Sequence, residues 1–446
     1  MAEASTVIPD LSLTYAPGTA PVTIKSRYHR WRPRDFHADA VPQSAEPSAA
    51  IMTNTVTAIN NMGLASVVQE YERGTYYVNG TISPTGGSSD TSLAPKQVYF
   101  NDTTIKASAG SNANAFQQCF DQQTGTGTLA GKSLANSNIP EAIATYVLFD
   151  VTNTERSSYM GNLTIDCSKG EGAGNKTGLA AIAAANRNAQ NGVGGIGSVW
   201  AGNLRLVKCY YGLFGTPRYA DARNFYAGAF VGNVFNRVRS EANCTYPIFV
   251  GGNQMDDCFM GEYNQAGASG AKSIIFGTQL TMGTCYVNGQ SDTDYAFDIQ
   301  RSHLTFGTLF AENNLAAAIL QKKLSWVQGT LKWNLSLTGT HMIVNEEADG
   351  GGLITGHIIN SLNSSTMGGL VHVKVLANST RNYTVYQPYT SVDTNFKPFS
   401  IGGNAGQANI GSDYLVSNSS EGQVKHVVGG TVASPTLTAK NFTIDP

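Results

Sequence analysis

Glu262 and Glu312 are the two residues of this chain best placed to share acid–base chemistry. Two carboxyl groups flanking one glycosidic bond suffice for hydrolysis. One protonates the leaving oxygen while the other activates water or attacks directly, at separations of about 5 Å or about 6.5–9.5 Å depending on mechanism. Asp256 and Asp257 lie close to the first of them in "QMDDCFMGEYN", a dense acidic-aromatic cluster in an otherwise carboxylate-poor stretch. Tyr263 in the same string and Trp326 further on offer flat faces for stacking. Arg237 and Arg239 alternate along "NRVRSE", and a guanidinium fork matches a carboxylate. Each has a plain structural alternative: solvated turn carboxylates, an internal salt bridge, or aromatic packing at an interface.

Other chemistry finds less support. Asp292, Asp294 and Asp298 in "QSDTDYAFD" alternate as oxygen ligands for calcium do, but lack the glycine and distal glutamate of a calcium loop. The six cysteines are scattered with no CxxC pair and read as buried small hydrophobes. No metal site and no cofactor is assigned. "GVGGIG" at 192–197 matches GxGxxG, yet no buried strand precedes it, so no dinucleotide site follows. Charged residues make up 13% of the 446, against about 25% in an ordinary globular chain, and the net charge is −2. That balance provides no general field for nucleic acid or an acidic membrane. With 41% hydrophobic residues the chain can still bury a core. No apolar run reaches the ~18 residues of a membrane span, and the start "MAEASTVIPDLSLTYAPG" lacks the basic and apolar regions of a secretory signal.

The elements that must position these residues are mostly strands. Residues 1–46 form a proline-rich extended arm with the basic-aromatic patch "KSRYHRWRPRDFH", whose Arg30, Trp31, Arg32 and Arg34 are expected to hold a partner protein. A helix is expected over 47–62, with Pro47 in its first turn, Met52, Val56 and Ile59 on its apolar stripe and Gly63 as its C-cap. After it come "SVVQEY", the turn at Gly74 and "GTYYVNGTI". From about 145 onward short strands recur between Gly/Asn/Ser turns: "YVLFDV", "GNLTIDC", "GNLRLVKC", "GNVFNRV", "YPIFVGG", "AKSIIFG" and "YAFDIQ". "LTMGT" at 280–284 returns as "LTFGT" at 304–308, and "LSWVQGT" begins at Leu324. A repeat of roughly 20 to 30 residues, each holding two or three strands, is one coil of a parallel β-solenoid. The helix covers the first coil. Carried along the chain, this register stacks position 263 on 288 and 312, with Glu262 beside that column and Glu312 in it, their backbones about 10 Å apart.

The strings "RGTYYVNGTI" (73–82), "VYFNDTTIKAS" (98–108) and "GNLTIDC" (161–167), following a helix, resemble the right-handed parallel β-helix of the pectate-lyase-like superfold. Within it they are most similar to tailspike and tail-fibre proteins of bacteriophages, over about 48–380. The resemblance implies an all-β solenoid with an N-terminal capping helix in three parts: an anchoring arm at 1–46, the β-helix at 47–395, and a C-terminal β region at 396–446 for trimerisation or closure. It also implies a homotrimer in the virion, attached through the arm to a tail or baseplate protein and binding bacterial surface polysaccharide. On that scaffold Glu262, Glu312, Asp257 and Asp256 would be the hydrolytic acids, and Tyr263, Arg237, Arg239 and Trp326 the sugar contacts. A non-catalytic receptor-binding spike and a free pectinase-type enzyme are the alternatives.

Overall fold

The computed structural model describes residues 30–84 and 96–108 and the strands from 116 to 334 with their flanking residues; for Leu11–Leu13, Val22–Ile24 and the strands after 334 it describes the backbone course. Strands β1 (Leu11–Leu13) and β2 (Val22–Ile24) pair antiparallel. Then come α1 (Ala49–Ala65), β3 (Val68–Tyr71), β4 (Gly74–Val78) and β5 (Gln97–Ala107). A second sheet starts with β6 (Gln117–Phe120) and β7 (Thr145–Asp150). The chain next alternates between sheets through β8 (Ser158–Asp166), β9 (Gly178–Ala184), β10 (Val199–Val207), β11 (Tyr211–Gly215), β12 (Val234–Ser240) and β13 (Tyr246–Gly251). It goes on through β14 (Asp257–Gln265), β15 (Ser273–Phe276), β16 (Gln279–Gln290), β17 (Tyr295–Gln300), β18 (His303–Asn314), β19 (Ala317–Lys322) and β20 (Trp326–Asn334).

Even-numbered strands from β8 extend a 15-stranded sheet, odd-numbered strands from β7 an 11-stranded one. Consecutive members of each run are parallel. Beyond β20 the alternation continues to Phe399–Ile401, and the pairing turns antiparallel between Tyr414–Asn418, Gln423–Val428 and Thr438–Thr443. The protein is thus predominantly β with parallel sheets, and α1 is the one α-helix among the described residues. No described helix is long and apolar enough to cross a membrane.

Parallel pairing places equivalent residues about 4.8 Å apart in straight columns, so the period-two pattern of each strand decides which columns face in. Leu163, Leu204, Val238, Tyr263, Cys285 and Leu309 make one inward column of the long sheet. Tyr159, Trp200, Phe235, Met260, Met282 and Phe306 make another, with Tyr159 stacked on Trp200 at 3.9 Å and Trp200 on Phe235 at 5.6 Å. Facing them from the short-stranded sheet are Phe149, Ile182, Leu213, Ile248, Phe297 and Ile319, all in the same core. Burying each such side chain contributes about 1.5–3 kcal/mol.

Strands β8, β10, β14, β16, β18 and β20 each also carry a glycine where they approach their predecessor too closely for a side chain, while β12 has Asn236 at that point. A Cβ on Gly283 would lie 2.5 Å from the Gly261 carbonyl oxygen, and one on Gly307 2.5 Å from that of Gly283. Gly161 adds a left-handed backbone, φ +89°, with its Cβ position 2.0 Å from the Phe100 carbonyl oxygen. The column accounts for the recurrent Gly in "MGNL", "AGNL", "MGTC" and "FGTL".

The repeat "LTMGT"/"LTFGT" has the expected register, Leu280 beside Leu304. The other steps differ. Leu304 pairs with Val327 rather than Leu324, and beyond Phe306 the register moves by one more residue because Gly307 is extra in β18. Upstream, Leu280 pairs with Cys258 rather than Met255. Position 263 therefore stacks on Cys285, not 288, and Glu312 stacks on Asn288.

The helix begins and ends later than expected. Ser48 is its N-cap, accepting from the Ile51 amide, and Gly63 lies buried inside the last turn with Ser66 as C-cap. Its Asn60 holds the segment after β4, donating to the Thr81 carbonyl (3.1 Å) and accepting from the Ser83 amide (2.7 Å). Gly74, φ +124°, does make the turn into β4 and abuts Pro42.

The end of the arm is bound to this chain itself. Trp31 bridges Gln69 of β3 in parallel, is 9% exposed and packs on Phe36. Arg32 donates to Glu70 (3.1 and 3.2 Å), Arg34 pairs with Glu72, and Arg30 lies over the Tyr99 ring. The four residues expected to hold a partner thus make contacts within the chain: Trp31 on the β3 edge, Arg32 and Arg34 on Glu70 and Glu72, and Arg30 on Tyr99 of β5.

Two outcomes are expected. Gly161→Ala should cost about 3 kcal/mol or more in denaturant unfolding, while exposed Thr284→Ala stays within about 0.5 kcal/mol. Burial raises the Glu70 pKa, but the Asn101 hydrogen bond and the Arg32 charge outweigh it and the net pKa is lowered. A carboxylate depressed in the folded state stabilises above its unfolded pKa, and that contribution is lost as pH falls through the folded pKa. Limited proteolysis at Arg30–Arg34 should thus accelerate on acidification below about pH 4, and Glu70→Gln should flatten that dependence.

Candidate functional site

The outward face of the long sheet, from β10 to β20, carries rows of residues in register. One row runs Asn162, Asn203, Arg237, Glu262, Thr284, Thr308 and Thr330. The next runs Arg205, Arg239, Asn264, Tyr286 and Phe310. A third exposes Val199, Val234 and Phe259, at 40%, 39% and 42%, an unusual density of open apolar groups on adjacent strands. The first two rows lie two residues apart on pleated strands and share one face; the third lies three residues before the first on β12 and β14 and is likewise open to solvent.

Side chains along these rows engage one another. Asn162 donates to Asp102 (2.7 Å) and Asn203 to Asn162 (2.8 Å). Arg237 pairs with Glu262 at 2.5 Å. Glu241, just after β12, takes the Nε of Arg205 (2.8 Å) and of Arg239 (2.9 Å) on one carboxylate oxygen. Tyr286 stacks on Phe310, ring centroids 5.6 Å apart, and its hydroxyl donates to Glu312. Burial, with the hydrogen bond to Glu312 adding to it, pushes the Tyr286 pKa up to about 12, so the phenol remains a donor at any physiological pH. Trp326 is 41% exposed and meets His303 edge-on at 6.4 Å.

The sequence-derived acids are not brought together. Glu262 and Glu312 share the outward face, but Glu262 is in register with Thr308, four residues before Glu312 and two strands away. With about 3.3 Å per residue and 4.8 Å per strand, their backbones stand about 16 Å apart. A glycosidase pair needs at most about 9.5 Å. The expected hydrolytic pair is corrected on that ground, the error being the three-residue register shift. Glu262 instead finds Arg237, a proposed sugar contact. Asp257 opens β14 opposite Gln279, with its side chain outside the described residues, as is all of Asp256.

Tyr263 is also corrected as a stacking platform: it is fully buried. Its hydroxyl crosses the core to Ser273 (3.1 Å) and donates to Gln265 (3.0 Å), and Ser273 donates to Gln265 as well (3.0 Å). Burial raises its pKa strongly. Asp298, one of the three calcium candidates, is buried between Lys272 (3.4 Å) and Lys322 (3.2 Å), an ion pair rather than a cation ligand; Asp292 and Asp294 lie outside the described residues. Among the described residues no group of three His, Cys, Asp or Glu could hold a metal.

Sequence reading missed Arg205, Tyr286 and Phe310. The signal was present: Tyr286 and Phe310 each stand two residues after the threonine of "GT", 24 positions apart. What remains is a solvent-facing lattice of hydroxyl, amide and guanidinium groups beside partly exposed aromatic rings. It can bind a polar chain by hydrogen bonds and stacking. No family model matches this chain, and comparisons with curated proteins and with solved structures return no match.

Tyr263→Phe should cost about 1–3 kcal/mol in unfolding, because Ser273 and Gln265 lose a buried partner. It should leave any ligand binding by the outer face unchanged in titration calorimetry, whereas a substrate-stacking role would weaken binding instead.

Proposed function

We propose that this protein is a non-catalytic, receptor-binding spike of a bacteriophage particle, built as a right-handed parallel β-helix, that adheres to bacterial surface polysaccharide through the outward face of β10–β20. Each long strand and the short strand that follows make one coil, and α1 closes the N-terminal end. The observation that carries the reading is the outward lattice itself: Asn, Thr and Arg rows flanked by Tyr286, Phe310, Phe259 and Trp326, on a rigid sheet with few open carboxylates. The separation of Glu262 from Glu312 favours adhesion over depolymerisation. The virion context rests on the resemblance of "RGTYYVNGTI", "VYFNDTTIKAS" and "GNLTIDC" to tailspikes. Virion attachment falls to residues before Arg30, since Arg30–Arg34 are held by the body, and the antiparallel strands after Tyr414 are the part suited to closing the C-terminal end or joining three copies.

Purified protein should bind surface polysaccharide from at least one of a broad panel of bacteria. It should release no reducing ends and generate no unsaturated-uronate absorbance. Phe310→Ala should weaken binding at least tenfold, and Glu262→Gln should not abolish it. Reducing ends lost in Glu312→Gln would restore the hydrolase reading, and absorbance would make the protein a lyase.

A further inference from the structure

The row Arg205, Arg239, Asn264, Tyr286, Phe310 is asymmetric in charge, and that asymmetry names a ligand chemistry. Arg205 and Arg239 are register partners on β10 and β12, so two like charges start about 4.8 Å apart at the backbone. Arg237, two residues from Arg239 on the same face, is neutralised by Glu262. The remaining pair shares one carboxylate, Glu241, through Nε of each guanidinium. The local sum is three positive charges against two negative. Each guanidinium has five N–H donors and gives Glu241 its Nε–H, so the pair has donors to offer a second planar anion. Both side chains are 55% exposed, open to a ligand from solvent.

Resting on the polysaccharide reading above, we propose that the preferred ligand is an acidic polysaccharide lying across the strands along this row, with a sugar carboxylate bridging Arg205 and Arg239. The next positions suit the uncharged part of the chain. Asn264 offers an amide to hydroxyl groups, and Tyr286 and Phe310, about 10 and 14 Å from Arg239 by strand spacing, offer stacked rings for a pyranose face. A carboxylate is favoured over a sulfate ester because two forked guanidinium groups match a planar, two-oxygen anion. The basic end and the aromatic end fix the ligand's direction along the sheet.

The test uses the full chain against immobilised polygalacturonate, hyaluronan and colominic acid, each with its carboxyl-reduced form, and against dextran and dextran sulfate. The expected result is binding to at least one acidic polymer and at least tenfold weaker binding to its reduced form. Arg205→Gln and Arg239→Gln should each lose at least fivefold, with unchanged circular dichroism, and Arg239→Lys should not restore binding. Preference for a reduced or neutral polymer would overturn the carboxylate proposal and leave the polysaccharide reading standing. Equal binding to dextran sulfate would also overturn it, as charge without recognition. Binding to none of the polymers and to none of the bacterial polysaccharides would overturn both.

Discussion

The close approach of parallel strands at a column of glycines is the constraint on which the rest of this structure depends. Strands β8, β10, β14, β16, β18 and β20 run at sheet spacing, and each has a glycine where the previous strand's carbonyl oxygen occupies the place of a Cβ. A side chain there would push neighbouring strands apart and break the register on either side. With the register held, Leu, Val, Met and aromatic residues form continuous inward columns and their polar neighbours form outward rows. Core and outward face are two consequences of one backbone geometry.

The interior is not uniformly apolar, and its exceptions are informative. Tyr263 takes a place otherwise held by Leu, Val and Cys and reaches Ser273, the one hydroxyl in the facing column of Phe, Ile and Leu. Neither residue would be tolerable alone, since a buried unpaired hydroxyl is costly. Together with Gln265 they satisfy one another and tie the two sheets in a single relative register. The Lys272–Asp298–Lys322 cluster does the same for three successive short strands. These polar contacts specify alignment where apolar columns alone would permit sliding.

At the N-terminal end the edge of the long sheet is covered rather than left open. Trp31 adds a bridge to β3, its ring joins the core, and arginines of the arm neutralise Glu70 and Glu72. Sequence alone read "RWRPR" as an exposed adhesive arm, a fair inference from charge and proline content. The acidic residues that receive it lie some forty positions later, and only folding brings them into contact.

By itself the sequence determined the class of architecture. The period-two alternation, the recurring Gly-Thr and Gly-Asn, and the spacing of about 24 residues already imply stacked parallel strands with an amphipathic helix before them. It also marked Arg237, Arg239 and Trp326 as groups on an open face. Tertiary structure decided the register, because single-residue insertions such as Gly307 shift every later column and leave no mark in local pattern. The ladder pairs Tyr263 with Cys285 in the core, sets Glu262 two strands and four residues from Glu312, and aligns Arg205 with Arg239, Asn264, Tyr286 and Phe310. Local propensity sets which residues form strands; only the hydrogen-bonded ladder between distant segments sets which residues become neighbours.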